Sequence, residues 1–333
     1  MASWLATHGH EVIVLTSTEG EEQDDGYRVL RRSSPGEIAR VMRSADVVHV
    51  NGLSAKGVGW ALATGRRPVV THQAYQALCP TGLAWAPGGT CGAGPRRGPC
   101  DVCLGRGSID VGLHRGAARS ARTSVFVSRH QRSRIGLPGA CIYNPVDIPH
   151  IQGATPAPVS DDIIAFAGRL VREKGLDVLL RALCKVPGAR LRIAGDGPLR
   201  GEWQRLAHDL ELMSRVTFEG RLSSNEVREL YAESTLVCVP SVWPEPFGYA
   251  AAEAMALGRP VVGLPTGALS ELLEDGRGFL AAKVSADSLA EAINLALADA
   301  AKRRSVGDAA RRFSERTLAV EVLGPKYLAV YSG

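Results

Sequence analysis

The chain has 333 residues, 45% of them hydrophobic and 22% charged, with a formal net charge of +5. That length accommodates two domains, each able to bury its own core, and the composition is globular. The mild basic excess suits an anionic substrate or a membrane surface and is no nucleic-acid signature by itself. No apolar run approaches bilayer length and no basic-plus-apolar leader precedes a cleavage site, so a cytoplasmic location is expected. Seven cysteines, an odd number, argue against a fully paired secreted framework.

Residues 1–8 read as the last turns of a helix ending at Gly9. Strands are predicted at 11–16, 27–31, 46–50, 68–72 and 123–128, with helices at about 36–43, 54–64 and 109–120. This alternation implies a parallel sheet with right-handed crossovers. A doubly wound domain normally opens on a strand and a Gly-rich turn, so a first βα unit is expected to be lacking. Strands near Val12 and Val48 would then carry unpaired edges in mid-domain, unless the sheet closes up.

Residues 79–103 break the alternation with a glycine- and proline-rich loop holding Cys79, Cys91, Cys100 and Cys103, spaced C-x11-C-x8-C-x2-C. A loop this long usually carries something that orders it. Four thiolates can close a structural zinc site or hold an iron–sulfur cluster, the alternatives being unmetallated thiols or a disulfide. A closed four-cysteine site would be structural, not catalytic. Between Arg106 and Arg134 lie seven arginines (106, 115, 119, 122, 129, 132, 134) against one acid, Asp110. They form either a solvated helix face or a contact to anionic lipid or a phosphorylated acceptor, peripheral to the inner face of the membrane.

The first domain is expected to span 1–147 with the Cys-rich insert at 79–103, followed by a Pro- and Ala-rich linker at 148–160. A second α/β alternation fills 161–315, and a C-terminal helix at 316–333 is a candidate to cross back to the first domain. Predicted strands are 163–167, 190–194, 216–219, 236–239, 260–263 and 278–281. Two C-terminal helices are expected, at about 286–299 and 317–331. Arg169 and Lys174 leave one strand end on a Gly-flanked loop, where Arg suits bidentate oxyanion contact and Lys a point charge. Gly195-Asp196-Gly197-Pro198 is first a turn signal. Residues 240–263 read as a strand end, a loop with Glu245, and an Ala-rich helix with Glu253 that stops at Gly258. A helix N-terminus beside an acid, in a crevice at a strand end, suits a phosphorylated ligand.

Gly168-Arg169-Leu170 with Lys174-Gly175, then Gly195-Asp196-Gly197-Pro198, then Glu245-Pro246-Phe247-Gly248 with Glu253 in E-x7-E spacing, occur in order. Together they resemble the retaining GT-B glycosyltransferases of the large family 4, which includes bacterial phosphatidylinositol mannosyltransferase and sucrose synthase. In the N-terminal half, residues 8–12, 46–50 and 143–147 are also similar to family patterns. The resemblance implies two Rossmann-like domains facing a central cleft, with a UDP- or GDP-sugar donor held mainly by the C-terminal one. It implies that Arg169 and Lys174 hold and stabilise the departing diphosphate. Glu245 would contact the donor sugar and Glu253 the ribose. Backbone groups near Gly168, Gly195, Phe247, Gly248 and Tyr249 would complete the donor site. His72 matches the family's N-domain histidine near the reacting sugar, although Gln73 stands where an Asp often follows; a buried structural histidine is the alternative. Glu271 matches a family glutamate read as helix-capping.

The expected activity is therefore a retaining, metal-independent transfer to an unidentified saccharide, lipid or natural product. No cofactor is expected for catalysis, because Arg169 and Lys174 can neutralise the leaving group and the chain has no Asp-x-Asp motif. The alternatives are an N-terminally truncated, non-catalytic nucleotide-sugar-binding protein or partner subunit, and a nucleotide-sugar epimerase of the same architecture. A phosphorylase, for which no pyridoxal-lysine marker is visible, and a structural metal protein stand further off.

Overall fold

The computed structural model describes residues 1–19, 26–86, 89–91, 107–148 and 162–333. It falls into two units: one comprises Met1–Ala86, Cys91–Pro145 and Val320–Gly333, and the other holds Val146–Ala319.

The first unit begins with α1 (Ala2–Thr7), β1 (Ile13–Thr16), β2 (Arg28–Arg31), α2 (Pro35–Ser44), β3 (His49–Asn51), α3 (Ala55–Ala63) and β4 (Val69–His72). It continues with α4 (Gly107–Ser120), β5 (Thr123–Phe126), α5 (Arg129–Ile135) and β6 (Ala140–Cys141). Ser34, Ser54 and Ser128 start α2, α3 and α5 by accepting a hydrogen bond from the backbone N–H three residues on. That satisfies a donor the helix itself leaves open. Helix α5 has no counterpart among the predicted elements, because RHQRSRI has no apolar stripe and buries only Gln131 and Ile135.

Among the described residues β3-β4-β5-β6 form one parallel sheet of this unit and β1-β2 another, and the short strand Trp85–Ala86 pairs with Gly89–Thr90. Among the described residues no ladder joins β1 to β3, so the sheet does not close up across the expected gap. Burial reports the same break. Val69, Val70, Thr71 and His72 of β4 are fully buried, as a strand covered on both faces must be, whereas Ile13, Val14 and Leu15 of β1 are only half-buried.

The second unit contains β7 (Ile163–Ala167), α6 (Leu176–Leu183), β8 (Arg190–Ala194), α7 (Arg200–Asp209), β9 (Val216–Gly220), α8 (Ser224–Ala232) and β10 (Leu236–Val239). Then come α9 (Tyr249–Ala256), β11 (Val261–Gly263), α10 (Ala268–Leu273), β12 (Phe279–Leu280), α11 (Ala286–Ala298) and α12 (Ala300–Phe313). Its strands make one parallel sheet in the order β9-β8-β7-β10-β11-β12. Leu176, Leu179, Leu180 and Leu183 recur at helical spacing on α6 and are all fully buried. Each contributes about 2 kcal/mol by leaving water. Helix α8 opens with a reciprocal capping box between Ser223 and Glu226.

The C-terminal region carries three helices where two were predicted. Asp299 ends α11 and caps α12 by accepting from Lys302 N–H at 2.8 Å. Helix α12 buries only Val306, Gly307 and Ala310, which leaves its sequence highly charged. After a π-helical turn, Ser314–Leu318, the chain enters α13 (Val320–Ser332), which belongs to the first unit. There Leu323 and Tyr327 pack with Val69, Val125 and Ile142. Arg122 donates to the carbonyls of Val330 and Tyr331 at 2.9 and 2.8 Å, neutralising the helix C-terminus.

Candidate functional site

In the second unit the strand order turns at β7, which pairs with β8 on one side and β10 on the other. Loops leaving neighbouring strands in opposite directions open a crevice at their carboxyl ends, where α/β sheets bind ligands. Three loops converge there, following β7, β10 and β11.

Glycines let their backbones touch. A Cβ on Gly195 would lie 1.9 Å from the Gly168 carbonyl, and one on Gly175 would lie 2.0 Å from the Pro240 carbonyl. Gly175 also ends the short 3-10 turn Arg172–Lys174 in the left-handed conformation, φ 67°. Val242 N–H donates to Glu173 C=O at 3.0 Å, tying the first loop to the second.

The consequence is that Lys174 reaches Glu245. Lys174 Nζ lies 2.5 Å from Glu245 Oε1, with the lysine side chain 29% and the glutamate side chain 6% exposed. Ser241 Oγ donates to the same oxygen at 2.7 Å, and Thr266 Oγ1 donates to Ser241 C=O at 2.7 Å. The Trp243 ring, itself nearly buried, lies 5.5 Å from Lys174 Nζ. Arg169 is exposed at the end of β7 and forms no ion pair among the described residues. Of the two cations, then, one is held by an acid and the other extends into solvent.

Downstream of Glu245, Phe247 is buried and Gly248 is the N-cap of α9 at φ 93°, with no side chain closing the helix end. Tyr249 is 47% exposed. The positive end of the α9 dipole therefore lies in the same loop as Glu245. Glu253 stands on α9, accessible to solvent yet crowded by protein. Desolvation raises its carboxyl above the usual range, opposed by the nearby Arg228 guanidinium. Arg228 is itself paired with Asp147 at 2.6 Å. Glu271 lies buried in the first turn of α10.

His72 is placed differently. Its ring is 0% exposed, stacked on Phe126 with centroids 4.7 Å apart, and its Nε2 lies 3.1 Å from Ser124 Oγ. It is packed within the core of the first unit. Gln73, where the family often has Asp, shares hydrogen bonds of 2.9–3.0 Å with Asn51 and Asn144 at the carboxyl end of β3 and β4. Nearby, His49 contacts Tyr331 Oη at 2.8 Å and Thr71 Oγ1 at 2.7 Å.

Burial lowers both His49 and His72 from 6.5 to about 4. The unfolded chain therefore binds protons that the native state refuses between these values. Stability is full above about 6.5 and falls as pH drops towards 4. Unfolding at about pH 5 is expected to require ~2 kcal/mol less per histidine than at neutral pH. Thermal unfolding of the protein and of His49→Gln and His72→Gln variants checks this; a pH-independent midpoint would refute it.

Cys100, Cys103 and Arg106 lie outside the described residues. Cys79 and Cys91 are partly buried free thiols, with Cys79 Sγ 3.1 Å from Thr81 Oγ1. Among the described residues no group of three or more His, Cys, Asp or Glu gathers as metal ligands, and no helix is long and apolar enough to cross a membrane. Within the arginine cluster, Arg122 holds α13, and Arg134 donates to Cys91 C=O. Arg119, Arg129 and Arg132 are exposed.

Sequence reasoning did not single out Ser241, Trp243, Thr266 or Arg228. Ser241 and Trp243 flank Glu245 within five residues of chain and carried that proximity as their signal. Thr266 and Arg228 come from other strands' loops and helices and carried none.

Residues 147–313 match the family described as Glycosyl transferases group 1. The D-inositol 3-phosphate glycosyltransferase of Mycolicibacterium paratuberculosis is 36% identical over 158 residues, 46% of this chain and 36% of that protein. The chain thus spans roughly a third of the length of the curated relatives it matches. Sucrose-phosphate synthase from Thermosynechococcus elongatus superposes over 99% of this chain and 90% of its own, with TM-score 0.81 and 20% identity. Anabaena HepE, solved in complex with UDP, superposes over 99% and 94%, with TM-score 0.76 and 20% identity. At these identities the superpositions establish the GT-B fold.

Proposed function

This chain belongs to the group 1 glycosyl transferases, and from that membership we propose that it moves a sugar from a nucleotide-diphosphate donor to an acceptor hydroxyl with retention of configuration. The observation that carries the reading is the meeting of Lys174 and Glu245 at the switch point of the second unit's sheet. A cation and an acid at one strand end match the charges of the reaction. The bond from the anomeric carbon to the diphosphate oxygen breaks, leaving positive charge on the sugar and negative charge on the nucleoside diphosphate. The acceptor oxygen bonds on the same face, and its proton passes to the departing phosphate oxygen. Arg169, Lys174 and the α9 N-terminus stabilise the phosphate, Glu245 holds the sugar, and Glu253 holds the ribose. This division of charge supports metal-independent transfer. A role for His72 at the sugar has less support, because its ring is enclosed against Phe126. A cytoplasmic location belongs to the same reading, with exposed Arg119 and Arg132 available to an anionic membrane surface.

The test is a thermal-shift panel of nucleoside diphosphates and nucleotide-sugars, followed by transfer assays with and without EDTA. A donor at a hundred times its dissociation constant stabilises the fold by about 2.7 kcal/mol. UDP-sugars are the first choice, since HepE was solved with UDP; GDP-sugars are the second. No stabilisation by any donor would refute the reading. Activity lost to EDTA and restored by Mn²⁺ would refute metal independence. A second reading, donor binding without transfer, is favoured by the unjoined β1 and β3 of the first unit. It predicts stabilisation with neither transfer nor hydrolysis.

A further inference from the structure

Glu245 Oε1 accepts from two donors, Lys174 Nζ at 2.5 Å and Ser241 Oγ at 2.7 Å, while Oε2 has no hydrogen-bond partner among the described residues. If Lys174 neutralises a diphosphate, its ammonium must turn at least partly away from the carboxylate, since a doubly charged phosphate outcompetes one acid for a point charge. Ser241 is then the donor that stays. It is 1% exposed, so water cannot replace it readily. Its backbone is held independently: Thr266 Oγ1 bonds its carbonyl at 2.7 Å, and the next residue, Val242, donates to Glu173 C=O at 3.0 Å.

We infer that Ser241 is the positioning residue of the site: it fixes Glu245 Oε1 after Lys174 is drawn to phosphate, leaving Oε2 to receive a sugar hydroxyl. The inference rests on the donor-site reading above, and Thr266 is its support. Without the Ser241 hydroxyl the carboxylate would rotate among orientations and follow Lys174, weakening sugar contacts while leaving the nucleotide contacts of Arg169 and Glu253 in place.

Two measurements test it. In protein labelled at the glutamate carboxyl carbons, the Glu245 resonance of the unliganded protein at fixed neutral pH reports its hydrogen bonds directly, with Glu245→Gln providing the assignment. Losing an O–H donor changes the hydrogen bonding at that carboxyl, so Ser241→Ala should displace the Glu245 carboxyl resonance at neutral pH, and Ser241→Thr should restore it. This readout needs no donor and is independent of the functional reading. In transfer assays with UDP-glucose, Ser241→Ala is expected to lower kcat about tenfold or more, with UDP affinity within about twofold and the unfolding midpoint nearly unchanged. Ser241→Thr should recover most of the rate. An unmoved Glu245 carboxyl resonance in Ser241→Ala overturns the inference, as does an equal loss of UDP affinity and turnover. Should wild-type protein neither bind nor use UDP-glucose, that choice of donor fails, while the carboxyl resonance still decides the role of Ser241.

Discussion

Replacing Lys174 or Glu245 by alanine is expected to lower sugar transfer by roughly a hundred- to a thousandfold, the scale of removing one preorganised electrostatic group from an active site. The two variants should nonetheless differ in stability. In Lys174→Ala a carboxylate whose side chain is 6% exposed loses its cation, whereas Glu245→Ala frees a lysine already 29% exposed that can extend into water. Breaking a buried pair by deleting one partner destabilises by about 3–5 kcal/mol when the remaining charge stays buried. Ser241 still serves Glu245, so about 1–3 kcal/mol is expected for Lys174→Ala and less for Glu245→Ala. Equilibrium denaturation beside steady-state kinetics separates the effects. Near-normal turnover in either variant would remove it from the mechanism, and equal destabilisation would show that the pair's burial is not what sets the cost.

Gly267→Ala should damage fold and site together. Gly267 has φ 58° and ψ −136°, a region essentially closed to residues with a Cβ. An added Cβ would fall 2.3 Å from Glu245 N and 2.4 Å from Glu245 O. Those atoms are backbone and cannot rotate aside. The Glu245 carbonyl also accepts from Ala268 N–H at 2.8 Å, so shifting it breaks a second tie. A cost of ~3 kcal/mol or more is expected, with the loss of transfer exceeding that of Ser241→Ala because the whole Glu245 loop must move. Gly276→Ala is a control: it also has positive φ, 76°, yet meets nothing within 4 Å, so about 1 kcal/mol is expected there. If the two substitutions cost the same, close approach to Glu245 is not what Gly267 provides.

Much of the fold was legible in the chain because its signals are local. Apolar runs such as residues 163–167 and 236–239 became β7 and β10 with the bounds read from composition, since strands covered on both faces need no polar alternation. Helices without an apolar stripe, α5 and α12, were invisible to periodicity, although Ser128 with Gly136 and the Asp299 cap marked their ends. The candidate site was legible as residue types at fixed spacing: Arg169 and Lys174 on one loop, Glu245 and Glu253 eight residues apart. Chain order could not say which of these groups touch.

By itself, then, the sequence determined the two-part α/β plan, the family and the identity of the charged groups, because periodicity, turn residues and motif spacing are properties of neighbouring positions. Only the tertiary structure decided that Lys174 is bonded to Glu245 while Arg169 forms no ion pair among the described residues, that Ser241 and Thr266 stand behind the acid, and that His72 lies packed against Phe126. Those contacts join loops from three different strands in one unit and two adjacent strands in the other. Strand order sets them, through hydrogen-bonded register and backbone approaches that only glycine allows.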